Sequence, residues 1–267
     1  MPNSLLRALV DLRDKQIQKG RIQFSNRLHA LVTDVDNDSD GQQEKIIRAW
    51  TKRFNELETQ LDQDISNLVK DEIIYDELSR LKGIGPMLSA KLIAMIDIHE
   101  AKTVSALWKY SGYGVGRYWV DEEGTVKAPQ EGLVYDEGEV TKVITQPEPG
   151  WTLIECRDRP VKGFLLPYNR RLKTSLYLIA SSFLKCSSPY RLVYDNAKLY
   201  YGANRDWTKA HIHRAAIRKM LKIFLSHLWE RWRLAEGLEI RVPYVYEKLG
   251  HTHKYQPEDF GWKKDGD

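Results

Sequence analysis

The chain has 267 residues, enough for one large domain or two small ones. Hydrophobic residues make up 42%, aromatics 10% and charged residues 29%, a composition that supports a buried core and excludes wholesale disorder. The net formal charge is only +4, but it is unevenly spread: residues 168–235 hold 14 Lys/Arg against 3 Asp/Glu, or +11, while 1–80, 81–167 and 236–267 stand at −3, −2 and −2. A segment of that charge is the electrostatic footprint of a surface for a polyanion; a solvated helical face is the alternative.

No apolar run is long enough for a membrane span, and Met1-Pro2-Asn3-Ser4 does not lead from basic residues into an apolar stretch. The expectation is a cytoplasmic protein without a signal peptide. Two cysteines, Cys156 and Cys186, cannot build a disulfide framework or a four-cysteine zinc site.

Taken in chain order, Leu5, Leu6, Leu9, Leu12, Ile17, Phe24, Leu28 and Leu31 predict one helix over 5–32, with a gap around Gly20. The acidic stretch 34–41 breaks it. Ile46, Ile47, Trp50, Phe54, Leu57, Leu61, Ile65, Leu68 and Val69 predict a second helix over 42–81. Two such helices form an antiparallel hairpin whose long stripes ask for a covering partner, so a dimerising coiled coil is expected. Asp36, Asp38, Asp40 and Gly41 match the first half of a calcium loop. Its twelfth position is Ile47 where a bidentate Glu is required, and a solvated, helix-capping loop is the better reading.

Leu81-Lys82-Gly83-Ile84-Gly85-Pro86-Met87 reads as the turn of a helix-hairpin-helix, followed by a helix over about 87–97. Glycines there allow backbone amides to approach a phosphate, and the following helix adds its positive end. A plain tight turn is the alternative. Residues 99–112 predict a short helix with Val104, Leu107 and Trp108 inward. From Tyr113 to about Leu166 the strand-like runs Gly116–Val120, Val140–Thr145 and Trp151–Cys156 alternate with Gly, Pro and acidic turns, which predicts a small β insertion. Helices resume at Tyr168–Leu184, Tyr190–Tyr201 and Trp207–Glu236. In the last, Ile212, Ala216, Met220, Ile223, Phe224, Leu228 and Trp232 make a core face, and Arg214, Arg218, Lys222 and Arg231 remain for another. The tail from Gly237 predicts an extended arm.

Leu81-Lys82-Gly83-Ile84-Gly85-Pro86 with Ala90, Leu92 and Ile93, followed by Ser105-Ala106-Leu107-Trp108-Lys109-Tyr110-Ser111-Gly112, resembles the C-terminal transposase domain of the insertion sequence 110 family. Tyr168-Asn169-Arg170-Arg171-Leu172-Lys173 is similar to that family's next, basic helix, and Ala215–Leu221 to its final one. Leu12–Lys15 through Asn26–Leu31 is similar to the coiled coil that precedes the domain. The resemblance implies DNA binding, or binding of a structured RNA, and dimerisation. Family recombinases carry an N-terminal RuvC-like domain whose acidic residues bind divalent metal; this sequence starts at the coiled coil, so that domain is expected to be absent. They also use a serine downstream of the aromatic-x-Gly helix end. No serine stands between Ser111 and Ser175, and Ser111 reads as a helix-end cap rather than a nucleophile.

The sequence therefore predicts a mainly α protein: a dimerising helical hairpin over 1–80, a helix-hairpin-helix-containing domain over 81–235 with a small β insertion at 113–166, and an extended tail over 236–267. The expected function is sequence-tolerant binding of nucleic acid, double-stranded or branched DNA first, in a nucleoid-associated homodimer that is not catalytic by itself. Gly83, Ile84 and Gly85 would offer amides, and Lys82, Lys91, Arg170, Arg171, Lys173, Arg214, Arg218 and Lys222 would neutralise phosphates. No cofactor is expected, and a divalent metal enters only if the chain is catalytic. The alternatives are a recombinase subunit completed by another chain and a coiled-coil adaptor for a protein partner. His211-Ile212-His213 and His251-Thr252-His253 are the remaining metal candidates; His251 and His253 could share a strand face, whereas the first pair lies near a helix start. Tail packing or phosphate contact is the preferred reading of both. No Walker loop, dinucleotide fingerprint, catalytic triad order or zinc-protease motif is present.

Overall fold

A computed structural model describes residues 4–33, 41–136, 138–240 and 255–263. It is mainly helical with two small sheets, and none of its described helices is long and apolar enough to cross a membrane. The chain divides into two compact units, Met1–Arg80 with Ile84–Asp97, and Leu81–Gly83 with Ile98–Asp267. This differs from the expected boundary at 80/81, because the helix after the Gly-x-Gly turn belongs with the hairpin.

In the first unit, the helix expected over 5–32 is α1 (Ser4–Leu12) and α2 (Gln18–Thr33), joined by one π-helical turn at Arg13–Ile17. The Gln18 amide donates to the Arg13 carbonyl, a five-residue step that inserts one extra residue into the winding. The turn carries the charges that tie the unit together. Arg13 pairs with Glu58 at 2.8 Å and Asp62 at 2.8 Å, Glu58 also takes Arg21, and Asp14 takes Lys91 at 2.8 Å. The gap in the apolar pattern at Gly20 is a close approach: a Cβ there would lie 2.8 Å from the Phe54 ring.

The second helix expected over 42–81 ends early. α3 (Gly41–Leu68) tightens into a 3₁₀ turn at Val69–Asp71, Glu72 is extended, and α4 spans Tyr75–Arg80. Val69 and Ile74 are both fully buried. On one continuous helix they would be separated by about 140° around the axis, and the break lets both face inward. α5 (Pro86–Met95) starts with proline at its first turn, is buried from Ser89 to Met95, and packs on α1 and α3. Phe24, Trp50 and Phe54 cluster between α2 and α3 with ring centroids 5.5–6.4 Å apart. α2 has no fully buried residue, and Ile46, Trp50 and Leu57 of α3 are exposed, whereas Leu61 is buried within the chain.

The second unit begins with α6 (Val104–Tyr110), whose N-cap Thr103 accepts the Ala106 amide. Among the described residues the β insertion has five strands. β1 (Val115–Val120) pairs antiparallel with both β2 (Val126–Pro129) and β5 (Thr152–Arg157), and β3 (Glu131–Asp136) forms a hairpin with β4 (Glu139–Ile144). β2 and β3 escaped the sequence reading because Pro, Gly and charged residues interrupt their alternation. α7 (Arg170–Lys185), α8 (Tyr190–Asn204) and α9 (Lys209–Ala235) follow. Their core centres on Phe183 stacked on Tyr190 at 4.8 Å, with Phe224 edge-on to both. α9 is anchored by the Trp229 indole donating to the Ala101 carbonyl at 2.6 Å and by Arg233 donating to Ile98 at 3.1 Å.

Two expectations for the C-terminal part are corrected. Arg231, expected on a polar face, is buried, with Glu258 4.0 Å away. Within the tail, the described residues 255–263 are not an extended arm: Pro257–Phe260 is a 3₁₀ turn, and Phe260 and Trp262 are buried. The Trp262 indole donates to the Tyr190 hydroxyl at 2.7 Å, which lies 2.8 Å from His227 Nδ1, and His227 Nε2 lies 3.0 Å from the Tyr255 carbonyl oxygen. The carbonyl can only accept, so Nε2 carries a proton and donates to it. His251, His253 and the acidic loop 34–40 lie outside the described residues.

Lys91 is likewise corrected from a phosphate contact to an internal ion pair, being only 8% exposed against Asp14. Removing one partner of a buried pair strands the other. Asp14→Ala is therefore expected to lower stability by about 3 kcal/mol in urea denaturation. Lys91→Met should lower it less, because Asp14 keeps Arg13, and should leave nucleic-acid affinity unchanged in a mobility shift.

Candidate nucleic-acid interface

The +11 segment folds so that one stripe of α9 lines a cleft of about 680 Å³ within the second unit. His211, Ala215, Arg218 and Lys222 recur at three- and four-residue spacing, with Arg214 and Lys219 beside them. α6 contributes Trp108, the end of α8 Tyr201, the α8–α9 loop Trp207, and the end of β5 Arg157, with Arg159 just beyond. Six Lys/Arg thus line the cleft, and none of the lining residues is Asp or Glu. Small Ala215 keeps the floor open.

The cations are held in place. Arg218 donates to the carbonyls of Tyr113 and, at 2.8 Å, Gly114. The Lys222 ammonium sits 3.8 Å from the centroid of the Trp108 ring, whose indole donates to the Lys222 carbonyl at 3.1 Å. Lys173 approaches from α7, its ammonium 4.1 Å from the Tyr168 ring centroid. The charges also destabilise one another. Burial first, and the Arg218 charge second, push the Lys222 ammonium down to about 8. Lys173 is lowered by burial and then by Arg218 and Arg157; Arg218 is lowered by burial and, among the charges, by Arg157. Asp158 opposes them from beneath. It is 4% exposed, accepts from the Tyr118 phenol at 3.2 Å, and its second oxygen has no hydrogen-bond partner. Burial pushes that phenol up to about 12, so it stays protonated and able to donate. The site is a positive cluster short of counter-charge.

The structure brings Arg214, Arg218 and Lys222 together as expected, with Lys173 close by. Arg170 and Arg171, in the first turn of α7, are not lining residues. Lys82 is exposed and also lies outside the cleft. In the Gly-x-Gly turn, the first glycine is fixed by packing within the second unit. Gly83 has φ +102, a Cβ there would lie 2.7 Å from Cys186 Sγ, and its carbonyl accepts from the Ser182 hydroxyl at 2.7 Å. Its glycine is required for packing on α7. Ile84 is buried, and Gly85 is extended with open space where a Cβ would be. Ser111 is fully buried and its hydroxyl donates to the Leu107 carbonyl at 2.7 Å, so it closes the end of α6 and presents nothing to a scissile bond.

Trp108, Tyr201, Trp207, Arg157, Arg159 and Lys219 were missed by sequence reasoning, whereas His211 had been singled out, with phosphate contact among its readings. Trp108 reads as core because it shares a face with Val104, yet it is only half-buried. Arg157 and Arg159 sit in an acidic β segment, and only the β1–β5 pairing carries them to α9. Aromatic residues interleaved with the basic ones over 200–222 were the available signal. His211 and His213 do not form a metal pair: His211 stacks on Trp207, and His213 Nδ1 lies 2.7 Å from the Tyr194 hydroxyl. Among the described residues no group of three or more His, Cys, Asp or Glu side chains is placed to hold a metal. Compared with known proteins, the chain matches no family model and no curated protein.

Lys222 gives the cleft a pH dependence. It is charged below about pH 8 and neutral above, so phosphodiester affinity should fall as pH rises from about 7 to about 9. Lys222→Arg, measured by fluorescence anisotropy, should flatten that fall. The stability of the free protein runs the other way. The folded form binds fewer protons than the unfolded chain between about pH 8 and 10.5, so the cost of the ammonium is full below that window and is relieved as pH rises through it.

Proposed function

We propose that the protein binds nucleic acid, DNA first, through the cationic cleft of α9, β5 and α6, as a transposase-like binding protein without strand-transfer chemistry of its own. The observation that carries this reading is the convergence of six Lys/Arg in one aromatic-lined hollow with no carboxylate in its wall. A phosphodiester backbone supplies the missing counter-charge, and its condensed cations are released on binding. The buried Ser111 supports the non-catalytic assignment. Such a protein would act in the cytoplasm on nucleoid DNA.

With about five phosphates neutralised, the slope of log affinity against log salt on duplex DNA is expected near −4 to −5. Replacing exposed Arg214 and Lys219 together by Ala should make it shallower by about 2. A slope near zero would remove the electrostatic basis of the proposal.

The exposed stripe Ile46, Trp50 and Leu57 on α3 supports a homodimer through the hairpin. Leu57, 49% exposed, is the position to test, since Leu61 is already buried within the protomer. Leu57→Lys should give a monomer in light scattering with its helical circular dichroism intact, while Leu61→Lys should lower the helical signal itself.

A further inference from the structure

Resting on the nucleic-acid reading, we infer that the cleft takes a single strand, whose unpaired bases stack on the ring platform of Trp207, His211 and Tyr201 while its phosphates follow the cations of α9. Three features of the platform carry this. The Trp207 and His211 rings lie parallel, 4.2 Å apart with 6° between their planes, and Tyr201 leans on Trp207 at 5.5 Å. These rings lie outside the core of the α8–α9 pair, which is made by Tyr190, Val193, Tyr194 and Ala197 with Ala216, Met220 and Phe224. Trp207 is 36% exposed, on the loop before the helix, and a large ring left there can be covered by a partner's π-face. The Arg205 guanidinium, 5.7 Å from the Trp207 ring, adds positive charge beside it.

The spacing of the cations fits a strand that begins at the rings. From His211 through Arg214, Arg218 and Lys222 each step of three or four residues advances about 5–6 Å along the helix axis, comparable with the separation of neighbouring phosphates on an extended strand. In a duplex the base faces are hidden in the stack and only their edges are offered; an unpaired base presents its face to a ring. The hollow of about 680 Å³ is of the size that encloses small-molecule ligands. A hollow of that size has room for unpaired nucleotides.

The test compares three end-labelled probes by anisotropy at one salt concentration: an oligothymidine of about twelve nucleotides, an abasic phosphodiester of equal length and charge, and a duplex of the same length. The expected result is that oligothymidine binds roughly tenfold more tightly than the abasic strand and more tightly than the duplex. Trp207→Ala should erase that difference, with its helical circular dichroism unchanged to show that the variant is folded. Ala215→Leu, which fills the floor, should weaken oligothymidine more than duplex. Equal binding of oligothymidine and abasic strand by the wild type overturns the platform but leaves the electrostatic reading intact, as does duplex bound at least as tightly as oligothymidine. If none of the three probes binds, it is the nucleic-acid reading itself that fails.

Discussion

Arg218 makes the interaction on which the second unit's cationic face depends. Its guanidinium, projecting from the middle of α9, is bonded to the carbonyls of Tyr113 and Gly114, where the chain leaves α6 and enters the β insertion. That link fixes where β1 starts. β1 pairs along its length with β5, so it also fixes where β5 ends and where Arg157 and Arg159 arrive. A single half-buried side chain therefore converts a helix face with four cations into a walled cleft with six. Closing the link among like charges has a cost, visible in the depressed values of Lys173, Arg218 and Lys222. In such a cluster part of the desolvation that anion binding requires is already done.

Asp158 is the local compensation, and the sequence around it is shaped to admit it. A Cβ on Gly114 or Gly116 would lie 2.8 Å or 2.7 Å from its carboxylate oxygens. Neither glycine has a positive φ, so here the residue type is set by space rather than by backbone conformation. With Tyr118 donating to one oxygen and the other unbonded, the carboxylate moderates the field of Arg218 and Lys173 without entering the cleft wall.

Most of the helical architecture was legible in the sequence, because amphipathic stripes report burial directly. The hairpin, the short helix at Val104–Tyr110 and the three basic helices follow from apolar spacing, and Thr103, Asn169 and Thr208 cap them as their side chains allow. What the stripes do not report is a change of winding. The π turn at Arg13–Ile17 and the break at Glu72 preserve apolar spacing on either side, so a single period fits both halves. The site was legible only in part, for a related reason. The α9 cations are local and declared themselves by charge, whereas Arg157 and Arg159 join them through strand pairing between residues about forty apart, and Gly83 is explained by a contact with α7 a hundred residues away.

The extra residue in the π turn has an evolutionary consequence. Each residue adds about 100° of rotation to a helix, so the two parts of the first helix are phased by that one insertion. Upstream lie Leu6 and Val10; downstream lie Gly20 and Phe24, which meet Phe54. Deleting any one residue from 13–17 would restore a regular helix, gaining local hydrogen-bond geometry while turning one part out of phase with the other. Length variation in this helix is thus allowed only where both contact sets change together. Related sequences should keep the spacing between Val10 and Gly20 fixed even where the residues between them differ.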